Sequence, residues 1–127
     1  MARDWGAVGP WLRPLAWGCV VLLAILSLLP AEEMVRTGVG GYAEHTLAYA
    51  GTALLLRLGY PEHTLWRTAA ALVIYGGLLE YLQHYAPGRT PEVASWLASS
   101  AGVPLGIGGA HLLARVLGRP SLPGPGR

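Results

Sequence analysis

Residues 10–29 read PWLRPLAWGCVVLLAILSLL, and this stretch decides the fold class. Twenty residues cover roughly 30 Å at 1.5 Å per residue, enough to cross the hydrocarbon of a bilayer as a helix. The run holds one charge, Arg13, close enough to its start for the guanidinium to snorkel to the head groups. A cleaved signal peptide is the rival reading, because Arg3 and Arg13 precede an apolar core and Ala31 sits beside a conceivable cut. That cut needs a small residue where the chain has Leu29, so the run is read as a retained helix.

Outward from this run the pattern repeats three times. Apolar stretches at about 42–58, 66–86 and 93–117 follow the first at about 11–29, with Pro61 and Pro87 breaking the helices between them. Connections this brief make sequential helices antiparallel neighbours. The expected fold is all-α, an integral membrane four-helix bundle in a single domain, 1–117. A Pro/Gly-rich tail, 118–127, has no means of building a core. No internal repeat is evident.

Composition agrees with lipid as the solvent. Across 127 residues, 53% are hydrophobic and only 13% charged, with a mean hydropathy of +0.41. A soluble domain carries about 25% charge. The net charge of +2 does not make the chain a nucleic-acid binder, because its nine basic residues, all Arg, are scattered singly and form no basic face. The one cysteine, Cys19, lies within the first run and builds no disulfide framework.

The arginines also orient the bundle. With four spans and a cytoplasmic N-terminus, Arg3, Arg13, Arg57, Arg67, Arg115, Arg119 and Arg127 fall inside, while Arg36 and Arg89 fall outside. Basic residues flanking short loops stay on the cytoplasmic side, so both termini are expected there. The aromatic residues give the same answer. Trp5, Trp11, Tyr60 and Trp66 mark the inner interface, and Tyr42, Tyr81, Tyr85 and Trp96 mark the outer one.

The polar residues gather toward that outer face. His45 and Tyr49 are four apart on the second span, and Glu80, Gln83 and His84 share one side of the third. Glu80 precedes Ala86 by six residues, roughly 9 Å of helix below the span's end. A charge at bilayer depth costs roughly 2.5 to 3.5 kcal/mol at the centre and less toward the interface, so Glu80 is expected to face inward and find a partner. His45, Tyr49, His84 and Arg89 are the candidates. Two readings stand side by side: a polar pocket in which Arg89 forks a phosphate or carboxylate, and helix glue in which these groups satisfy one another.

On the fourth span, Ser95, Ser99, Gly102 and Gly106 form a strip of small residues suited to close helix approach, and Pro104 is expected to kink the helix modestly. A nucleophilic serine with His45 as base lacks the sharp turn that such a nucleophile needs, so no catalytic residue is assigned. His45, Glu80 and His84 number enough for a metal, but no sequence-close ligand pair comes from the second span, and neither metal nor cofactor is expected. His63 is read as a solvated loop residue and His111 as a packing group.

His45 with Tyr49, Glu80-x-x-Gln83, Pro87-Gly88-Arg89 and then Gly102, in that order, resemble the pattern of the VanZ-like family, named for a teicoplanin-resistance accessory protein of glycopeptide-resistance clusters. The likeness covers about 41–117. It implies a small multi-pass protein of the bacterial cytoplasmic (inner) membrane, working in the cell envelope. The chain departs from the family where members commonly carry Asp-Lys, here Gly41 and Tyr42, and where they carry Asp and Asn, here Ser95 and Ser99.

Two functions follow as expectations. In the first, the outer pocket of His45, Tyr49, Glu80, Gln83 and Arg89 binds a lipid-linked envelope precursor or another amphiphile. In the second, a non-catalytic accessory subunit docks its apolar faces into a larger membrane protein complex. Membrane lipids are partners in both.

Overall fold

The computed structural model describes residues 5–30, 32, 38, 40–61 and 63–118. Arg3, Arg36, Arg119, Arg127 and the tail beyond Gly118, which carry part of the orientation argument, lie outside the described residues, as does the side chain of Trp5. The chain is all-helical. Four α-helices follow in order: α1 Trp5–Leu28, α2 Gly41–Gly59, α3 Leu65–Leu82 and α4 Val93–Val116, with no strand among the described residues.

Local chemistry sets the ends. Gly40 lies at φ 116, where a side chain would be strained, and its carbonyl accepts the Glu44 N–H at 2.9 Å as α2 begins. Thr64 caps α3 by accepting the Arg67 N–H on its hydroxyl at 3.4 Å. The sequence reading carries the third helix to 86, but α3 stops at Leu82 and tightens into a single 3-10 turn, Gln83–Tyr85. Pro87 is the reason. The residue before a proline is pushed out of helical backbone, so Ala86 is extended, and Gly88 at φ 74 completes the reversal.

α1 starts earlier than the apolar run, with Pro10 and Pro14 inside it. Each removes one backbone donor from the helix ladder, leaving the Gly6 and Pro10 carbonyls without their helical partners. Pro104 stands deep inside α4, which runs on through it. The missing N–H leaves the Ser100 carbonyl without its helical donor. The Ser100 hydroxyl is itself buried with no hydrogen-bond partner among the described residues.

The most intimate packing joins α2 and α4. A methyl group built on Gly102 would sit 2.1 Å from the Thr46 carbonyl oxygen, and one on Gly106 would sit 2.1 Å from that of Ala50. Backbone therefore lies on backbone, a distance open only to residues without a Cβ. α3 meets α4 where the Trp96 indole N–H donates to the Val73 carbonyl at 3.0 Å, passing over Gly77. Leu23, Tyr49, Ala53, Leu72, Leu79, Val103 and Ile107 fill the main core between these helices.

α1 is attached differently. The Tyr75 hydroxyl donates to the Val20 carbonyl at 2.5 Å, and Arg13 donates from Nε to the Gly59 carbonyl at 2.8 Å while lying over the Tyr60 ring. Most of its surface faces outward, including Leu15, Trp17, Val21, Leu22 and Ile25. Large apolar side chains on α3 and α4, such as Ile74, Leu78, Leu97, Leu105 and Leu112, continue that exposed surface. Where the sequence reading expects four crossings, two stretches among the described residues are long and apolar enough to cross a membrane, Pro10–Leu28 and Val93–Val116.

Candidate functional site

An open cleft of about 490 Å³ lies at the end of the bundle that carries the α1–α2 and α3–α4 connections. Glycines 38, 40, 41 and 88 form part of its wall as bare backbone. The side chains that line it are polar. Tyr42, Glu44 and His45 come from the first turn of α2, Gln83 from the 3-10 turn, Arg89, Thr90 and Glu92 from the α3–α4 connection, and Ser95 from the first turn of α4.

Of the residues picked out in the sequence, three line the cleft and two do not. His45, Gln83 and Arg89 belong to the wall. Tyr49 is buried between helices instead, its ring against Gly76, where a methyl group would meet the ring and hydroxyl at 3.3 Å. Glu80 is outside the lining, and its partner is neither histidine nor arginine. Its carboxylate accepts the backbone N–H of Glu92 at 2.8 Å, the residue that caps α4. A carboxylate at a helix N-terminus answers an orphan amide and the positive end of the helix dipole together.

Arg89 departs from the phosphate-fork expectation in the same way. Its Nε donates to the Leu29 carbonyl at 2.7 Å and its Nη2 to the Leu26 carbonyl, both at the C-terminal end of α1. These are carbonyls that the helix itself leaves unmatched, and a cation suits that negative end. The guanidinium thus lines the cleft while being turned toward α1. His84, grouped with Glu80 and Gln83 in the sequence, is exposed, its ring nitrogen within 2.8 Å of the Tyr81 carbonyl. The switch to 3-10 geometry rotates it outward and Gln83 inward.

Gln83 is the distinctive member of the wall. Only 5% of it is exposed, yet it borders the cleft. Its amide can both donate and accept, which suits it to an incoming polar group. Ser95 lies half-buried on the same wall.

Ser99, Gly102 and Gly106 sit on the α2 side of α4. His45 Nδ1 and Ser99 Oγ are 3.1 Å apart, the pairing a nucleophilic serine would need. Ser99 is 3% exposed and absent from the cleft wall, so no substrate reaches its oxygen and the pair serves to hold α2 on α4. Thr46 adds to that hold, its hydroxyl 2.9 Å from the Tyr42 carbonyl and 3.0 Å from that of Ala98.

The sequence reading overlooks Glu92. Its carboxylate accepts from the Tyr42 hydroxyl at 3.0 Å across the mouth of the cleft. Only its place one residue before the fourth apolar run hints at a capping position. At the opposite end Arg57 is fully buried, donating from Nε to His111 Nε2 at 3.3 Å and from Nη1 to the His63 carbonyl at 2.5 Å. His111 is thus a satisfied packing group, and the His63 backbone takes part although its side chain is exposed. Among the described residues no three of His, Cys, Asp and Glu converge as a metal site would require.

No family model matches the chain, and neither does any curated protein or solved structure.

Proposed function

We propose that this chain is a VanZ-like, four-span protein of the bacterial cytoplasmic membrane, with both ends in the cytoplasm. Its polar cleft, at the outer face, takes the head group of an amphiphile such as a lipid-linked envelope precursor. The reading is supported by the exposed apolar belt on α1, α3 and α4, since a soluble monomer rarely carries so broad an apolar surface. The arginine bias and the two apolar spans, Pro10–Leu28 and Val93–Val116, point the same way.

The observation that carries the ligand half of the proposal is the cleft itself, a polar recess with Gln83 in its wall, above apolar flanks. An amphiphile suits both surfaces, its chains along the belt and its head in the cleft. The test is purification in mild detergent followed by native mass spectrometry of bound amphiphiles. Wild type is expected to retain a species that Gln83→Leu, matched in volume, loses. Equal retention by both proteins would defeat the reading. Reporter fusions at Gly88 and beyond Gly118 test the orientation, with Gly88 outside and the C-terminus inside.

An accessory subunit docking in a larger membrane complex is the second reading. It is favoured by Glu80 and Arg89, which hold helix ends rather than stand ready in the cleft. Under this reading a defined membrane protein co-purifies stoichiometrically, and Gln83→Leu has no effect on it.

A further inference from the structure

We infer that Arg57 and His111 form a proton-sensitive clasp between α2 and α4, at the end of the bundle opposite the cleft. It is closed while the imidazole is neutral and opens when the ring takes up a proton. The inference is independent of what the cleft binds. Arg57 Nε lies 3.3 Å from His111 Nε2. A guanidinium carries donors and no acceptor, so the direction of this bond is forced: Nε2 offers the lone pair, and the ring proton sits on Nδ1. Whatever else the buried guanidinium bonds, this contact exists only with the neutral ring. Protonation at Nε2 turns the acceptor into a donor and sets two cations against each other, where Arg57 has no exposed surface. Arg57 does not give up a proton to relieve the clash, because a guanidinium stays charged throughout the physiological range.

The same guanidinium reaches a third element. It donates from Nη1 to the His63 carbonyl at 2.5 Å, so it also holds the α2–α3 connection. Beside it, Leu12, Leu58, Ala110 and Ala114 pack α1, α2 and α4 together. Among the described residues, α1 brings the uncharged Leu12 to this cluster and α2 brings Arg57 to the ring. α4 adds Arg115 one turn beyond His111, a second positive field acting against a protonated imidazole. The His63 side chain is exposed. A folded chain that excludes a proton from His111, which the unfolded chain accepts, keeps its full stability above the histidine range. That stability falls as pH drops through about 6.5, the ordinary histidine value.

The experiment is denaturant titration of the full chain in neutral detergent, at about pH 8 and about pH 5.5. His111→Gln places a carbonyl oxygen close to where Nε2 stood, so it still accepts from Arg57 and does not titrate. Other histidines contribute equally to both proteins. Between the two pH values the folding equilibrium constant of wild type should fall about tenfold further than that of His111→Gln, the limit for one histidine kept unprotonated in the fold. Glu62, in the same connection, lies outside the described residues, so Glu62→Gln forms a third arm and should show the wild-type fall. Equal falls in wild type and His111→Gln, or loss of the excess in Glu62→Gln, would overturn the clasp. Should His111→Gln not fold, nitrogen-15 spectra of the wild-type histidine rings at about pH 8 decide the matter. His111 is expected to carry its proton on Nδ1, and a proton on Nε2 would overturn the inference.

Discussion

The α2–α4 pair and α1 are held by opposite means. Between α2 and α4, Gly102 and Gly106 bring backbone onto backbone, and Ser99, Thr46 and His45 bond across the seam. α1 has no comparable seam. Polar side chains from the rest of the chain reach carbonyls of α1 or its own Arg13 reaches out, at Val20, at Leu26 and Leu29, and at Gly59. The contrast teaches which part of the molecule tolerates change. A seam with no spare volume fails on any added atom, whereas a pinned helix loosens pin by pin. Arg89 ties the two regimes together, because it lines the cleft and also closes the end of α1.

Substitutions sharpen this comparison, beginning at the seam. Gly106→Ala and Gly102→Ala should each destabilise the fold by about 3 kcal/mol, as an added methyl 2.1 Å from a carbonyl oxygen forces the helices apart. Denaturant titration in micelles measures the loss, and near-normal midpoints for both would break the account of the seam. Arg89→Ala should cost about 2 kcal/mol, through lost charge-assisted bonds to the α1 carbonyls. It should also speed alkylation of Cys19 on α1 by a membrane-permeant maleimide, whereas an unchanged rate would mean that α1 is held by packing alone.

Smaller effects discriminate further. Tyr75→Phe removes the bond to Val20 and should cost about 1 kcal/mol, a usual value for one intramolecular hydrogen bond. Glu80→Gln should cost about 1 kcal/mol through the weakened cap on α4, with amphiphile retention unchanged because Glu80 is outside the cleft wall. Loss of retention in that variant at normal stability would return Glu80 to the site. The smallest effect belongs to Gly108→Ala, where nothing lies within 4 Å of an added methyl, and it should be neutral or stabilise by up to about 1 kcal/mol. The same substitution two residues away from Gly106 thus separates packing from helix propensity.

Much of this architecture is legible before any coordinates. The apolar runs and the prolines between them place four helices in order, because hydrophobic length and proline chemistry act locally. Ser99, Gly102 and Gly106 announce a close-packing strip by their spacing alone, and the polar residues near Pro87 announce one polar end. The partners are less legible. Glu80 is a sensible candidate for His45 or Arg89 by charge, yet it finds the Glu92 amide, since an orphan donor at a helix start leaves no trace in composition. Gln83 and His84 share a helical face only if the helix continues, and Pro87 ends it first.

Local sequence, then, determined the elements: where each helix runs, where it stops, and which faces carry small or polar groups. The tertiary structure alone decided that Arg89 closes a helix end sixty residues away, that Tyr49 is sealed against Gly76, and that Gln83 borders the cleft. The division follows from range. Backbone preference and hydrophobic run length are properties of neighbouring residues, whereas a hydrogen-bond partner depends on which termini the packed helices bring together.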